Sequence, residues 1–194
     1  MASRKPTEER RREIADAAIK IIAERGLREF TAANLAREVG IKDSTIFRHY
    51  KDMNEIAGAV LDRLQDLMIE AQQTTGDPLE RLEEFVLSRL RSVAVQPGIQ
   101  SLVFSDLISQ ALGAGGPQRV AALRNRGREV IRSCLREAAG KDLLREDLDI
   151  ESAVVLVTGT VMGFLFAVKD GVIEGSADQA ALRAWRTLLQ LLRR

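Results

Sequence analysis

The sequence predicts an all-α fold, and three observations carry that prediction. Apolar residues recur three and four positions apart through nearly every long segment, the spacing of a helix with one buried face. β-Branched alternation is weak and the 194 residues include only four prolines, so strands have little to build on. Helix-start signals repeat at Asp52 with Glu55, Asp77 with Glu80, and Ser176 with Gln179. In each pair an acceptor side chain stands three residues before an acid or amide, the spacing with which a cap and its partner satisfy the first free N–H groups. About nine helices follow.

Thr7 to Arg25 is the first, with Ile14, Ala18, Ile21 and Ile22 on one face and Gly26 closing it. Thr31 caps a second, from Ala32 to Val39, whose inner face is Leu35, Ala36 and Val39. Gly40 supplies the positive φ that ends it, and Ile41 plugs the turn. A third helix, from about Asp43 to Tyr50, buries Ile46 and Tyr50 and leaves Ser44, Thr45, Phe47, Arg48 and His49 at the surface. Two short helices joined by a tight turn, the second with small polar and basic side chains outward, suit insertion of a helix end-first into the DNA major groove. The same pattern alone suits a plain helical hairpin. Asp52 then starts a helix at Met53 that runs through Ile56, Val60, Leu64, Leu67 and Met68 to about Gln73.

The organisation changes after Thr74-Thr75-Gly76. Asp77 caps a helix with Pro78 at its first position, burying Leu79, Leu82, Phe85, Val86, Leu90 and Val93. Gln96-Pro97-Gly98 breaks it, and Ile99 to Leu112 reads as one short apolar helix. Gly113 to Gly116 is a loop and not a phosphate cradle, because no Gly-Lys-Ser/Thr follows. Pro117 starts a helix with Val120, Leu123, Val130, Ile131, Cys134 and Leu135 inward, closed by Gly140. The next runs from about Asp149 to Lys169, followed by Gly171 and Gly175, and the last carries Leu182, Trp185, Leu188, Leu189 and Leu192. Ser152 to Val168 holds no charge over seventeen residues. A spanning helix needs roughly twenty apolar residues, and this stretch also holds Thr158 and Thr160, so it reads as a helix buried all round inside a protein, with no membrane partner.

Several motifs of the first third occur together. They are Ile14-Ala15-Asp16-Ala17-Ala18, Gly26-Leu27, Phe30-Thr31, Leu35-Ala36, Val39-Gly40-Ile41, Ser44 to Tyr50, and Glu55-Ile56. With this set the chain resembles the TetR family of transcriptional regulators, closely over the first sixty residues and beyond them only in length and helical character. The resemblance implies a helix-turn-helix DNA-binding domain over 1–52 and a helical domain for effector binding and dimerisation over 53–194. It implies a homodimer on a pseudo-palindromic operator in double-stranded DNA, the last two helices pairing with their copies in a four-helix bundle. It implies a repressor released when an unidentified small molecule fills the second domain. The alternative is a DNA-bound helical scaffold whose output is protein contact.

The DNA-facing candidates are Thr31, Lys42, Asp43, Ser44, Thr45, Phe47, Arg48, His49 and Lys51. Thr45, then Ser44, suit contact with base edges through a hydroxyl or a methyl. Arg48, His49 and Lys51 suit phosphates, which position without specifying. Asp43 either caps its helix or accepts from a cytosine amino group, capping being the simpler role. Set against the family, Phe47 stands where tyrosine is usual, Ala33 where some relatives have a long basic side chain, and Met53 where a lysine is common. An effector cavity would draw on Ser101, Phe104, Ser105, Leu107, Ile108, Thr158, Thr160, Phe164 and Phe166, each of which also suits plain core. For the dimer, Gly159 and Gly163 permit close backbone approach, either between subunits or within one, and Trp185, Leu188 and Leu189 suit an interface.

Composition narrows the classes further. Net charge is only +1, so basic charge is placed and not general. Arg4, Lys5, Arg10, Arg11 and Arg12 stand against Glu8 and Glu9 near the N-terminus, as an arm along phosphates or a solvated end. One histidine, one cysteine, no metal-ligand spacing and no nucleophile elbow leave an enzyme, a metal site or a cofactor without support. Cys134 has no partner for a disulfide, and the charged stretch from Ser3 to Arg12 is no secretory signal. Both fit a reducing cytoplasm.

Overall fold

The structure is a computed structural model that describes residues 7–69, 76–95 and 102–194. Among them are nine α-helices: α1 (Thr7–Arg25), α2 (Ala32–Val39), α3 (Asp43–His49), α4 (Met53–Ile69), α5 (Pro78–Val95), α6 (Leu107–Leu112), α7 (Gly116–Gly140), α8 (Ile150–Lys169) and α9 (Ala177–Leu192). No β-strand occurs among the described residues, and a lone antiparallel bridge joins Leu144 to Arg193. The fold is all-α, as the periodicity requires.

The chain forms two compact units. The first comprises residues 1–67 and 101–122, the second 68–100 and 123–194. The sequence places a division after Asp52; by contact, most of α4 and the segment around α6 group with the first three helices.

In the first unit α2 packs on both α1 and α3. Ile14, Ala18, Ile21 and Ile22 of α1, Leu35 and Ala36 of α2, Ile46 of α3, and Ile56, Val60 and Leu64 of α4 are buried. Charged pairs fix the helices from outside this core. Glu38 of α2 pairs with Lys20 and Arg25 of α1, and Arg63 of α4 reaches Asp16 of α1 at 2.8 Å. Gly40, at φ 74° and ψ 36°, ends α2 in the left-handed conformation that a side chain would strain. Arg119 of α7 lies against Gly58 of α4, where a β-carbon would stand 3.3 Å from the guanidinium, and is 3.5 Å from Asp62.

In the second unit α5 packs on α8 and α9, which also pack on each other. Phe85, Val86 and Leu90 of α5, Val157, Val161, Phe164 and Leu165 of α8, and Trp185, Leu188 and Leu192 of α9 are buried. Asp149 and Ser176 cap α8 and α9 by accepting from Ser152 and Gln179. Arg132 holds Glu151 with two bonds of 2.7 and 2.6 Å, tying α7 to the start of α8. Arg89 is buried with its guanidinium 4.9 Å from the centre of the Phe85 ring. Burial pushes its pKa down to about 10, which still leaves it charged at neutral pH.

Three expectations change. The segment expected as one helix over 99–112 is helical at 102–104, bends at Ser105-Asp106, and resumes as α6. The Ser105 hydroxyl donates to the Leu102 carbonyl and accepts from the Leu107 N–H, both at 3.4 Å. A side chain that offers the backbone its own partners competes with the helix ladder in this way. A short 3-10 turn, Leu27–Glu29, which the spacing did not announce, separates α1 from α2. Finally, α8 is not buried all round. Its length and composition alone would suit a membrane span, but one face packs in the second unit. The other exposes Val155 (70%), Leu156 (52%) and Phe166 (55%).

Gly116 begins α7 where a β-carbon would lie 2.1 Å from the Ser109 carbonyl oxygen. Backbone would have to move, so Gly116→Ala should destabilise the protein by about 1–3 kcal/mol. Gly140, the last residue of the same helix, meets nothing within 4 Å, and Gly140→Ala should be neutral or mildly stabilising. Urea denaturation of the two variants side by side checks both signs.

Candidate nucleic-acid interface

The reading head is built from α2, the turn at Gly40, and α3. Thr31 is extended at φ −126° and accepts the Asn34 N–H at 3.3 Å, so α2 starts at a cap. Asn34 in turn donates to the carbonyl and carboxylate of Glu29, which fixes the entry to α2. After Gly40 the Ile41 N–H returns to the Ala36 carbonyl at 2.9 Å, closing the turn. The cap of α3 is Lys42, whose side chain makes no capping bond. Asp43 is the first helical residue, and its carboxylate accepts the neighbouring Ser44 N–H at 2.8 Å. The expected capping role thus becomes support of the first turn. An acid there also suits the positive end of the helix.

The nine candidates fall on two levels of exposure. Thr31, Lys42, Asp43, Ser44, Phe47, Arg48 and Lys51 are exposed, and Phe47 shows half its surface. Within α3, Ser44, Phe47 and Arg48 are spaced by three and one residues, which keeps them on one side of the helix, and Lys51 is exposed two residues past its end. Thr45 and His49 are half-buried at the margin of that side. Ile46 and Tyr50, fully buried, hold the opposite side.

Behind α3 lies an arrangement that sequence reasoning missed. Arg11 was expected in a basic arm, yet its guanidinium turns inward. Nη1 donates to the main-chain oxygen of His49. Nη2 donates to Glu55 at 2.8 Å, and the guanidinium carbon sits 4.1 Å from the centre of the Tyr50 ring. Tyr50 answers by donating its hydroxyl to the Arg11 carbonyl at 2.9 Å. Arg10 likewise pairs within its own helix, with Glu13 at 2.7 Å; Arg4 and Lys5 lie outside the described residues. A signal was available. Arg11 stands three residues before Ile14 and seven before Ala18, on the stripe that α1 buries.

The electrostatics match the geometry. Burial, opposed by Arg11, pushes the Tyr50 phenol up to about 12, so it stays a neutral donor. The Lys51 N–H, 2.6 Å from its second oxygen, and then Arg11 hold the Glu55 carboxyl below its usual range. Asp52 accepts the Glu55 N–H at 2.8 Å, completing the cap of α4.

The other candidates are dispersed. Phe104, Ser105, Leu107 and Ile108 belong to the first unit, Thr158, Thr160, Phe164 and Phe166 to the second, and Ser101 lies outside the described residues. The Thr158 and Thr160 hydroxyls donate to the Val154 and Leu156 carbonyls one turn back. Phe164 is buried core. Trp185 and Leu188 are buried within the second unit and Leu189 is half-buried. Among the described residues nothing lies within 4 Å of the β-carbon positions of Gly159 and Gly163, so these glycines serve no close packing with them. No cluster of potential metal ligands occurs among the described residues.

A short exposed helix presented on a glycine turn, with a polar and basic outer side, defines a helix-turn-helix DNA-binding regulator. Residues 14–60 match the family model for bacterial regulatory proteins of the tetR family. The HTH-type transcriptional regulator SrpR of Pseudomonas putida is 28% identical over 162 residues, covering 82% of this chain and 75% of its own. Two solved structures share the fold. A transcriptional regulator from Saccharomonospora viridis in complex with choline has a TM-score of 0.80 at 21% identity, over 96% of this chain and 99% of its own. AibR in complex with isovaleryl coenzyme A and operator DNA has a TM-score of 0.75 at 16% identity, over 93% and 98%. Residues 14–60 form a DNA-binding domain of the tetR family, and the chain as a whole shares its fold with transcriptional regulators of known structure.

Because Glu55 is an acid whose pKa is lowered on folding, its contribution to stability is full above the usual carboxyl range of about 4 and fades as pH falls through the lower folded value. Glu55→Gln should therefore be less stable than wild type at neutral pH. The gap between them should narrow as the medium is acidified toward about pH 3. Denaturation midpoints of both proteins across that range check the sign.

Proposed function

We propose that the protein is a cytoplasmic homodimeric repressor that holds a pseudo-palindromic operator through two copies of α3 and is released by a small-molecule effector. The observation that carries this reading is the outward side of the reading head, where Ser44, Phe47 and Arg48 line one face of α3 and Lys51 is exposed just past its end. Thr45 and Ser44 take base edges, and Phe47 takes a thymine methyl. Arg48, Lys51 and the imidazole of His49 take phosphates, with Lys42 and Thr31 flanking. One such head covers only a half-site, so two are needed for useful specificity.

The exposed face of α8 supports pairing. Val155, Leu156, Gly159 and Phe166, with Gly163 between them, form an apolar strip of the kind that marks an interface. Leu191 of α9 is also exposed. Trp185 and Leu188 then act from beneath, as the core that stiffens the paired helices. For the effector, support comes from neighbours of the same fold, one complexed with choline and one with isovaleryl coenzyme A beside operator DNA. We place effector contact on the segment Phe104 to Ile108, where Phe104, Ser105 and Leu107 are half-buried in the unit that also holds α3. A ligand that shifts this unit must bind the released form more tightly, and operator must weaken its binding by the same factor.

Three outcomes test the reading. Selection from a random duplex pool should yield a palindromic sequence, on which Thr45→Ala costs about 1–3 kcal/mol and relaxes one position per half-site. Lys51→Ala should weaken all duplexes alike and flatten the salt dependence. A pool that yields no sequence above background overturns the function.

Gly163→Arg adds a long charged side chain where the described residues of the subunit leave open space. It should give a folded monomer in sedimentation at micromolar concentration, whereas a wild-type monomer removes the pairing.

Calorimetry of effectors found by metabolite screening, with and without operator, should show unequal affinities. Phe104→Ala should reduce this response more than DNA affinity, whereas Phe164→Ala, in the core of the second unit, should cost about 3–5 kcal/mol of stability. Equal affinities would favour the scaffold reading.

A further inference from the structure

α3 is joined to α4 by three residues, Tyr50 to Asp52, and this junction is closed by groups from a third helix. Arg11 of α1 divides its guanidinium between two acceptors. One is the His49 carbonyl, at the last residue of α3, and the other is the Glu55 carboxylate in the first turn of α4, 2.8 Å away. The Tyr50 ring covers one face of the guanidinium at 4.1 Å, and the Tyr50 hydroxyl bonds back to the Arg11 carbonyl at 2.9 Å. Glu55 spends its other oxygen on the Lys51 N–H at 2.6 Å, inside the same junction. We propose that Arg11 is a positioning residue for DNA reading: it sets the angle of α3 against α4, and acts on the operator through that angle and not through a phosphate. The inference rests on the DNA-reading role of α3 given above.

The chemistry requires an arginine. The end of α3 presents carbonyls with partial negative charge, to which a cation is drawn. A guanidinium offers separate nitrogens in a rigid fork, so one side chain can satisfy a carbonyl and a carboxylate on different helices and still stack on a ring. A lysine ammonium is a point charge and cannot hold both acceptors in that geometry. The same spending of donors takes Arg11 away from phosphates. Since Glu55 moves with α4 and the carbonyl with α3, a turn of α4 at its first residues reaches α3 through this side chain. An error in the angle misplaces the base-edge contacts of Thr45 and Ser44 first. Phosphate contacts by long flexible side chains adapt.

The test compares wild type, Arg11→Lys and Glu55→Gln on the duplex that wild type selects from a random pool and on a scrambled duplex. Affinities are read by fluorescence anisotropy across a salt series, at a temperature where circular dichroism shows each protein folded. Arg11→Lys should lose about tenfold on the selected duplex, as for one lost base-edge contact, stay within about twofold on the scrambled one, and keep the salt slope, because no phosphate contact is lost. Glu55→Gln should lower the ratio of the two affinities in the same direction, and carries the test if Arg11→Lys does not fold. Hydrogen exchange at the Tyr50 N–H, which bonds to the Ile46 carbonyl at 3.1 Å, should quicken in both variants. Equal losses on the two duplexes with a flatter salt slope would make Arg11 a phosphate contact and overturn the proposal, as would an unchanged ratio in the folded variants. A wild type that selects no sequence takes down the DNA-reading role itself, before any variant is compared.

Discussion

A helix of seven residues cannot hold its own direction. In water, isolated helices shorter than about 12–15 residues are marginal, and α3 is half that length. Everything that makes it a reading element comes from elsewhere. Gly40 aims it, Ile46 and Tyr50 anchor its inner side, and α1 grips its last carbonyl. The rest of the first unit can be understood as support for those few points. Glu38 pins α2 to α1, and Asp16 with Arg63 pins α4 to the same helix. α1 is thus the common frame, and α2, α3 and α4 are each fastened to it by at least one polar contact.

Much of this was legible in the residues. The α2–turn–α3 motif could be read because each boundary has a chemical marker: Thr31 as cap, Gly40 at positive φ, and apolar residues at helical spacing. The caps at Asp52, Asp77 and Ser176 were equally plain. What escaped was long-range pairing. Arg11 and Glu55 are 44 residues apart, and nothing local distinguishes an arginine that turns inward from one that lies along DNA. The register of Arg11 with Ile14 was a clue, but stripe position alone does not say which acceptors lie opposite. The break at Ser105 escaped for another reason. Leu102, Val103, Ile108 and Leu112 keep an apolar pattern across it, whereas a single hydroxyl redirects the backbone.

The second unit shows the limit of periodicity from the other side. In α8 apolar residues run all round the helix, so the pattern could not say which face packs inside. α5 and α9 take one face, with Val157, Val161 and Phe164, and leave Val155, Leu156 and Phe166 uncovered. The glycines fall on open ground, which a sequence cannot distinguish from tight packing.

On the pairing and repression proposed above, that uncovered strip bears on dose. A subunit that must meet a copy of itself before two reading heads can act together responds to its own abundance more than linearly. When subunits are scarce, the paired form rises with the square of their concentration, by mass action. A modest fall in synthesis would then empty the operator much faster than it empties the cell of protein. The bare side chains of one helix would thereby set a threshold, below which the regulated genes escape control without any signal molecule at all.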